Sequence, residues 1–588
     1  MLRRAAARAA VPGYCLALSL LICAPLLGPG YLLLRDAVST PRSWLTDAAL
    51  GLSESAARAV PQDFAIALAS GFLDGGVLVT ALLVAGLWLA GWGAARLVAT
   101  VSGPAVSGPA ASDTAASGAA VGGQVLAATL AVWNPYVAER LLQGHWSLLL
   151  GYGCLPWVAL TVLRLRAGAG GRDWFALAFW IALAGLTPTG LLLAAVVGGV
   201  CLLAPGGRRW PGAAALLGLS VAAALPWLVA SAGGSLGAYR ASGAPGFDAF
   251  AARAEPGLGT LGSLAGLAGI WNSDAVPPSR VGWFATVATI VLVALVLTGL
   301  RAAWRRPAAR PLLVLAAVAV LAPALAATGV GRALLQAGAE SFGGLGVLRD
   351  GQKWAALAMP GYALAVAEVP GVLAARWPRL RPAAVSAVGV ALLIATLPDL
   401  AFGVGGRVHA VHYPPGFAAV AARINADPAP VAVLPADGMR RFGWAGPAPV
   451  LDPLPRWVAA EVLSTGDLTI AGQTIAGEGD RARAVQRLLL DGADAAQLSR
   501  AGVGWLVLEA GSAGELGASA RTLAPLTPVY ADDELRLYRL AEGPEPAPSP
   551  RRPALIAAHL SWLAVLLVGG AGAVAAGLRR PRRGADRR

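Results

Sequence analysis

The sequence is poor in charged residues. They make up 13% of the 588 residues, against roughly 25% in a soluble domain. Hydrophobic residues make up 57%, and the mean hydropathy is +0.64. This balance excludes an ordinary soluble enzyme and predicts a protein that crosses a membrane many times.

Cysteine and the usual metal and nucleotide motifs are also scarce. All four cysteines fall in apolar segments, so neither a disulfide in an exposed domain nor a metal site is predicted for them. The chain has no P-loop, no dinucleotide-binding fingerprint and no HExxH sequence. His409 and His412 stand three positions apart without a third ligand nearby. We therefore predict no cofactor, and no spacing indicates a divalent metal.

Lysine is almost absent, since Lys353 is the only one among the 46 lysine and arginine residues. The net charge of +14 is typical of some nucleic-acid-binding proteins. Here, however, the arginines stand in short runs between apolar segments, as signals of membrane orientation do. We therefore do not predict a nucleic-acid partner.

Apolar segments of about 20 residues, the length that crosses a bilayer, recur along the chain. The first follows "MLRRAAARAA" and, at 23 residues, is longer than the apolar part of a signal peptide, so we interpret it as a retained anchor. We predict about twelve transmembrane helices, and the pair within 173–204 could instead be a short or re-entrant hairpin. The segments are 12–34, 74–98, 119–134, 146–163, 173–187, 189–204, 211–231, 281–300, 311–328, 354–375, 383–402 and 553–577.

The arginine runs predict how the chain is oriented. They fall on one side of the membrane if all twelve segments cross, so both termini are predicted to be cytoplasmic in a multi-pass plasma-membrane protein. The loops 35–73, 134–145, 232–280 and 329–353 then lie on the outer side. The Ser/Gly/Pro/Ala-rich stretch 102–118 is predicted to be a flexible cytoplasmic loop.

One long segment is more polar than the rest. We predict a small extracytoplasmic α/β domain over 403–550, because the strand-like stretches "APVAVLP", "GVGWLVLEA" and "DELRLYRL" alternate with helical patterns such as "GDRARAVQRLLLDG". Residues 1–402 would form the transmembrane, catalytic-type module. Residues 551–588 would form a last transmembrane helix and a basic cytoplasmic tail.

Four polar clusters lie in the predicted outer loops. Cations next to a carboxylate and aromatic rings suit a phosphorylated amphiphile that carries a sugar, because the cations bind phosphate and the carboxylate accepts a proton from a hydroxyl. The clusters are Arg35 and Asp36 in "LLLRDAVSTP"; Glu139, Arg140 and His145 in "WNPYVAERLLQGHW"; Trp271, Asn272 and Asp274 in "GIWNSD"; and Arg349, Asp350 and Lys353 in "LRDGQKW".

Each cluster also has a simpler interpretation. Asp36 could pair with Arg35, and Glu139 could pair with Arg140 on a short interfacial helix. Trp271 could be a membrane-belt aromatic, and Lys353 could be an anchor at the start of a transmembrane segment. Likewise His145 could be a structural hydrogen-bonding residue, and Arg349 and Asp350 could pair with each other.

The stretches "GPGYLLLRDAVSTPRSWLTDAALG", "WNPYVAERLLQGHWSLLLGYGCLPW", "GIWN" and "LRDGQKW" together resemble multi-spanning actinobacterial membrane proteins related to the glycosyltransferase C (GT-C) superfamily. This superfamily includes mannosyl- and arabinofuranosyltransferases of the mycobacterial type. The resemblance covers about residues 10–400. It implies a GT-C-like polytopic helical fold and transfer of a sugar from a polyprenyl-phosphate donor on the outer face.

The resemblance also implies roles for individual residues. Asp36 matches the acidic residue of the first outer loop that acts as catalytic base. Some members carry a second acidic residue beside it, and here Ala37 stands in that place, so a metal held by paired carboxylates is not expected. Lys353, Arg349, Arg140 and His145 would bind the donor phosphate. Residues that would bind the sugar or orient the cations are Glu139, Asp350, Trp271 and Asn272.

The sequence leaves two rival functions open. A lipid-linked sugar transporter or flippase would need polar residues at mid-bilayer, for which Thr187, Thr189 and Glu368 are the main candidates. A non-catalytic envelope assembly factor could use the 403–550 domain to bind other proteins. In the leading interpretation, an inverting glycosyltransferase, that domain would bind the acceptor, an envelope glycan or glycolipid.

Overall fold

The computed structural model describes residues 2–54, 59–102, 113–234, 245–436, 438–470, 472–541 and 549–578. The predicted loop 102–118 lies mostly outside these ranges, and its last residues are helical, because a helix begins at Asp113. The basic tail after residue 578 lies outside them as well.

The first part of the chain is helical apart from one hairpin. Local signals fix several helix starts: Asp74 accepts the N–H groups of Gly76 and Val77, and Asn134 accepts that of Val137. The helices are α1 (Leu2–Cys23), α2 (Asp47–Leu50), α3 (Gln62–Ala69), α4 (Gly75–Val101), α5 (Asp113–Val132), α6 (Pro135–Leu142), α7 (Trp146–Arg166), α8 (Gly171–Ala184), α9 (Pro188–Cys201) and α10 (Arg209–Gly234).

The next part contains bent helices. α14 and α15 meet at 90°, and the residues before α16 form two 3-10 turns, Gly343–Leu348 and Gly351–Ala358. Its helices are α11 (Pro245–Ala249), α12 (Gly259–Ala265), α13 (Phe284–Trp304), α14 (Arg310–Ala326), α15 (Gly329–Ser341), α16 (Met359–Ala367), α17 (Val369–Arg376), α18 (Pro382–Ala395) and α19 (Ala401–Gly406).

Within the described ranges, seven helices are long and apolar enough to cross a membrane, or up to nine if each bent pair is one span. A multi-pass membrane protein is thus supported, whereas the count of about twelve stays a prediction. In the segment 173–204, α8 and α9 have 14 residues each. Each rises about 21 Å, less than the ~30 Å hydrocarbon core.

The predicted first segment, 12–34, was wrong at its end. The apolar span closes at Leu26, and Tyr31–Leu34 is a β-strand. The apolar run continues across this boundary because the strand is buried in the protein, so its hydrophobicity serves a folded core and not the bilayer.

The helices pack closely where glycines face each other. α4 and α7 cross at Gly86 and Gly153, where a Cβ on Gly153 would lie 2.2 Å from the carbonyl oxygen of Gly86. Small residues at such crossings let helix backbones approach within a membrane.

A small α/β domain follows α19, and its predicted elements are present. "APVAVLP" contains β4, "GVGWLVLEA" contains β9 and "DELRLYRL" contains β11, with α22 in "GDRARAVQRLLLDG". The strands are β1 (Tyr31–Leu34), β2 (Ala37–Val38), β3 (Ala410–Val411), β4 (Val431–Leu434), β5 (Met439–Arg440), β6 (Val450–Leu451), β7 (Leu468–Ile470), β8 (Gln473–Ile475), β9 (Trp505–Glu509), β10 (Tyr530–Ala531) and β11 (Leu535–Arg539).

The main sheet has the order β10-β11-β9-β4, and only β4 and β9 are parallel. Helices lie in the connection between those two strands, as a parallel crossover requires. The remaining helices are α20 (Pro415–Ala426), α21 (Leu454–Trp457), α22 (Asp480–Leu490), α23 (Ala495–Arg500), α24 (Ala520–Leu523) and the apolar α25 (Arg552–Leu578). The domain's extracytoplasmic placement and the boundaries at 402 and 550 stay predictions.

The hairpin that follows α1 is part of this domain's packing. β1 pairs with β3, and the N–H of Leu451 donates to the carbonyl of Arg35 at 2.9 Å. The hydroxyl of Tyr413 donates to the carbonyl of Ser39 at 2.8 Å. These contacts hold the β1–β2 hairpin, and Asp36 in its turn, between the helices and the α/β domain.

The turn between α6 and α7 touches this hairpin at Gly144. Its φ is +82°, and a Cβ there would lie 2.3 Å from the carbonyl oxygen of Leu34 and 2.5 Å from the nitrogen of Ala37. Only glycine fits both constraints. Gly168 has a similar φ of +87° with nothing within 4 Å of a Cβ, so it isolates the effect of the contact.

We predict that Gly144→Ala destabilises the protein more than Gly168→Ala. Both substitutions strain a left-handed residue, at about 1 kcal/mol. Gly144→Ala also overpacks the hairpin contact, which adds about 2 kcal/mol. Thermal unfolding of the two detergent-solubilised variants measures this difference, and equal losses would contradict the close approach.

Candidate active site

The predicted site residues come from five separate stretches, and the structure brings them together. Asp36 lies in the β1–β2 turn, Glu139 and Arg140 on α6, and His145 between α6 and α7. The others are Trp271 and Asn272 after α12, and Arg349, Asp350 and Lys353 between α15 and α16. Hydrogen bonds and ion pairs join seven of the nine, some of them through Gln143 and Gln352. Trp271 and Arg349, which adjoin Asn272 and Asp350 in the chain, are joined to each other by ring contacts with Phe250.

A buried ion pair lies at the base of the cluster. The Nη1 and Nη2 atoms of Arg140 donate to the two carboxylate oxygens of Asp350 at 3.0 and 3.1 Å. The Arg140 side chain has no exposed area, and its guanidinium lies 5.6 Å from the centre of the Tyr136 ring. Burial alone would raise the pKa of Asp350, but Arg140 and Lys353 hold that pKa well below its usual value.

His145 has a defined proton arrangement. Nη1 of Arg140 lies 3.1 Å from its Nδ1, and a guanidinium only donates, so Nδ1 accepts. Burial, with the positive charges of Arg140 and Lys353, lowers the pKa of His145 despite Asp36, so the neutral ring is favoured. The ring proton then resides on Nε2, which donates to Oδ2 of Asp36 at 2.9 Å.

Asp36 presents one carboxylate oxygen to solvent. Oδ2 accepts hydrogen bonds from His145 and from Nε2 of Gln143, the latter at 3.2 Å. Among the hydrogen bonds of the described residues, Oδ1 accepts none, and the side chain is 42% exposed. The surrounding protein atoms would raise the pKa of Asp36, but His145, Gln143 and the charge of Lys353 lower it overall. The group is therefore an oriented carboxylate.

Lys353 lies between two carboxylates. Its Nζ is 3.5 Å from Oδ2 of Asp350, and its side chain is 26% exposed. An ammonium group has three donors, so this single long contact leaves donors that a bound anion could use. The cation is held in place by Asp350 and is partly exposed.

Both oxygens of Glu139 are used inside the protein. They accept the N–H groups of Gly269 and Ile270, each at 3.1 Å, and the side-chain amide of Gln352 at 2.9 Å. Burial, together with the nearby Glu255, raises the pKa of Glu139 to about 8, whereas the three donors favour its ionised form. This arrangement favours the orienting role for Glu139 over contact with a sugar.

The remaining predicted residues form the other end of the cluster. The Trp271 ring meets the Phe250 ring edge-on at 4.6 Å, and the Arg349 guanidinium lies 4.4 Å from the centre of Phe250. Asn272 donates to Oε1 of Gln143 at 2.8 Å. Phe250 therefore joins Trp271 to Arg349, and Gln143 joins Asn272 to Asp36.

Sequence reasoning missed four members of the cluster: Gln143, Gln352, Phe250 and the structural role of Arg35. The guanidinium of Arg35 donates to the carbonyls of Leu142 and Asp274, at 2.5 and 2.9 Å, which fixes the hairpin. Gln143 and Gln352 stand inside "QGHW" and "LRDGQKW", so their position in polar clusters was the available signal. Phe250 had no such signal.

Metal ligands are not grouped in this part of the molecule. Over the described ranges of the chain, no set of three or more His, Cys, Asp or Glu side chains is placed to hold a metal ion.

We predict that Asp350→Asn is strongly destabilising. It leaves the Arg140 charge buried without compensation, at about 3–5 kcal/mol. Asp480→Asn is the matched control, because Asp480 also pairs with an arginine but its side chain is 93% exposed, where such pairs contribute about 1 kcal/mol or less. Thermal unfolding measures both variants.

The same pair predicts acid sensitivity. Because the pKa of Asp350 is depressed in the folded protein, its stabilisation is complete above the ordinary aspartate pKa and is lost as the pH falls below it. The wild-type protein should lose this contribution in acid, whereas Asp350→Asn should not. Parallel acid profiles for the two proteins would contradict the assignment.

Comparison with known proteins gives one likeness, and it is structural. No protein-family model and no curated protein matches the chain. A cryo-EM structure of the arabinofuranosyltransferase AftD from mycobacteria matches with a TM-score of 0.53 and 18% identity. The match covers 91% of this chain and 41% of AftD, so the chain spans less than half of that protein's length. At this identity, the likeness shows that the two proteins share a fold.

Proposed function

We propose that the protein is a membrane glycosyltransferase that transfers a sugar from a polyprenyl-phosphate donor to an envelope glycan or glycolipid on the outer face. The observation that carries this proposal is that one cluster contains both an open carboxylate oxygen on Asp36 and the partly exposed ammonium of Lys353, whose charge acts on Asp36. The resemblance of its sequence clusters to the GT-C superfamily and the fold shared with AftD support it.

The reaction is an inverting displacement. Oδ1 of Asp36 accepts the proton of the acceptor hydroxyl while the oxygen of that hydroxyl forms a bond to the anomeric carbon of the donor sugar. The bond between that carbon and the phosphate oxygen breaks. The products are the new glycoside and a polyprenyl-phosphate anion, whose charge Lys353 and Arg349 stabilise.

The low pKa of Asp36 fits this displacement. A weakly basic carboxylate does not deprotonate a free hydroxyl group to a significant extent. It accepts the proton readily once the hydroxyl oxygen begins to bond to the anomeric carbon, because that bond makes the hydroxyl acidic. Proton transfer therefore accompanies the attack. A second function of the carboxylate is to attract the positive charge that develops on the sugar ring in such reactions.

The cations divide into two groups by their contacts. Arg140 donates to Asp350, Gln352 and the ring of His145, and His145 in turn faces Asp36. We assign both of them to positioning Asp36 and Lys353, in place of direct phosphate contact. Lys353 and Arg349 remain the proposed phosphate-binding residues.

The contacts disfavour the transporter alternative. Glu368 pairs with Arg306 at 3.0 Å and accepts from Ser102 at 2.9 Å, at the break between α16 and α17. The Thr187 hydroxyl caps α9 by accepting the N–H of Gly190. Two of its three candidate residues therefore have structural partners. An assembly factor stays a rival, and binding of polyprenyl phosphate without turnover would favour it.

We predict that Asp36→Asn abolishes transfer, lowering the rate by about 10²–10⁴, the usual contribution of a general base. The measurement uses the purified protein, a panel of radiolabelled sugars linked to polyprenyl phosphate, arabinofuranose among them, and synthetic glycoside acceptors. Asp480→Asn is the control for an aspartate far from the cluster. Full activity in Asp36→Asn with an unchanged unfolding temperature would refute the assignment.

We predict that Lys353→Met raises the KM for the donor by about tenfold or more, because a charge-assisted contact to phosphate is lost. Lys353→Arg should recover only part of the affinity, since a planar guanidinium does not occupy the space of an ammonium. The KM for the acceptor should stay unchanged in both variants. A rise in the KM for the acceptor alone would remove Lys353 from the phosphate site.

A further inference from the structure

Gln143 is almost fully buried and holds Asp36 in two ways. Its backbone carbonyl accepts the N–H of Asp36 at 3.3 Å, and its Nε2 donates to Oδ2 of Asp36 at 3.2 Å. Its Oε1 accepts a hydrogen bond from Nδ2 of Asn272 at 2.8 Å. One glutamine therefore connects the loop after α12 to the turn of the β1–β2 hairpin.

The direction of this chain of amides is set by a backbone group. The N–H of Asp274 donates to Oδ1 of Asn272 at 3.0 Å, and a backbone N–H only donates. Nδ2 of Asn272 must then face Gln143, which turns Oε1 of Gln143 towards Asn272. Consequently Nε2 of Gln143 faces Asp36 and not away from it.

The starting point of the chain is itself fixed. Glu139 accepts the N–H groups of Gly269 and Ile270, so the loop that carries Asn272 is tied to α6. Gln143 directly follows α6. Because both ends of the Asn272–Gln143 contact are tied to the same short helix, the two amides keep one relative position.

We propose that Gln143 is a positioning residue for Asp36, and that Asn272 sets the direction in which the Gln143 amide points. The inference rests on the role proposed above for Asp36. Gln143 and His145 together occupy Oδ2, so the carboxylate presents Oδ1 to an acceptor. Asn272, which sequence reasoning placed in the sugar pocket, acts through Gln143.

Other groups that face Asp36 would be unchanged by substitutions at Gln143 or Asn272. His145 donates to it from the α6–α7 turn, Lys353 approaches from the segment before α16, and Arg35 lies beside it on the hairpin. Any change in the protonation of Asp36 in these variants therefore reports on the amide chain.

The test measures protonation of Asp36 without turnover. A water-soluble carbodiimide with an amine nucleophile modifies protonated carboxyl groups, and peptide mass spectrometry quantifies the modified Asp36 across a pH series. Asp480, which is 93% exposed, serves as the reference in the same sample. The variants are Gln143→Leu, Gln143→Glu and Asn272→Asp, the last two nearly identical in shape to the wild-type residues.

Loss of the Gln143 donor should raise the pKa of Asp36, so modification at about pH 6 should increase on the order of tenfold in Gln143→Leu. Gln143→Glu should increase it further. Asn272→Asp should also increase the modification of Asp36. The new carboxylate can only accept, so it binds Nε2 of Gln143, and the Gln143 amide then turns its Oε1 towards Asp36. In the Gln143→Leu background, Asn272→Asp should add little.

The inference is overturned if Asp36 is modified to the same extent in Gln143→Leu and Asn272→Asp as in the wild-type protein. Gel filtration checks that both variants are folded. An equal effect of Asn272→Asp with and without Gln143 would overturn the role of Asn272. Transfer assays separate the two proposals: if modification shifts but the acid limb of the transfer rate does not, the positioning stands and the base assignment fails.

Discussion

The ion pair between Arg140 and Asp350 is the contact on which the rest of the site depends. The guanidinium of Arg140 donates two hydrogen bonds to the carboxylate of Asp350 and another to Nδ1 of His145. Since a guanidinium never accepts a hydrogen bond, this placement puts the imidazole proton on Nε2, and Asp36 therefore accepts a hydrogen bond from His145. The hydrogen bonding of the exposed Asp36 carboxylate is therefore determined by the buried Arg140–Asp350 pair, whose contacts water does not replace.

The buried charges of the cluster are tolerated because they are paired or hydrogen-bonded. Glu139 is solvated by two backbone N–H groups and an amide, and Arg280 meets Glu255 in a buried pair. An unpaired charge at these depths would cost several kcal/mol. The short α6, buried along its whole length, carries both Glu139 and Arg140 and so distributes polar contacts to three neighbouring loops.

Much of the fold could be predicted because its signals are local. Apolar segments revealed the helices, and alternation with turn residues revealed β4, β9 and β11. Placing all polar clusters on one face made it possible for Asp36, Arg140 and Lys353 to meet, but the sequence did not show that they do.

The misses have a physical cause. The strand Tyr31–Leu34 was taken for the end of a helix, because a four-residue apolar run has no period of its own. One of its two partners is the two-residue β2, and the other, β3, lies far along the sequence. The function of an amide depends on what surrounds it. The orientation of the Gln143 amide and the position of the proton on the His145 imidazole could therefore not be predicted from the sequence.

The contact between Tyr413 and Ser39 joins residues 374 positions apart, and β1 pairs with β3 over a similar interval. Loop closure over such a distance precedes any gain from the contact. During synthesis, the turn that carries Asp36 can make these contacts only after residues 410–451 have emerged from the ribosome. A nascent chain that contains only the first helices therefore lacks the contacts that hold the Asp36 turn in place.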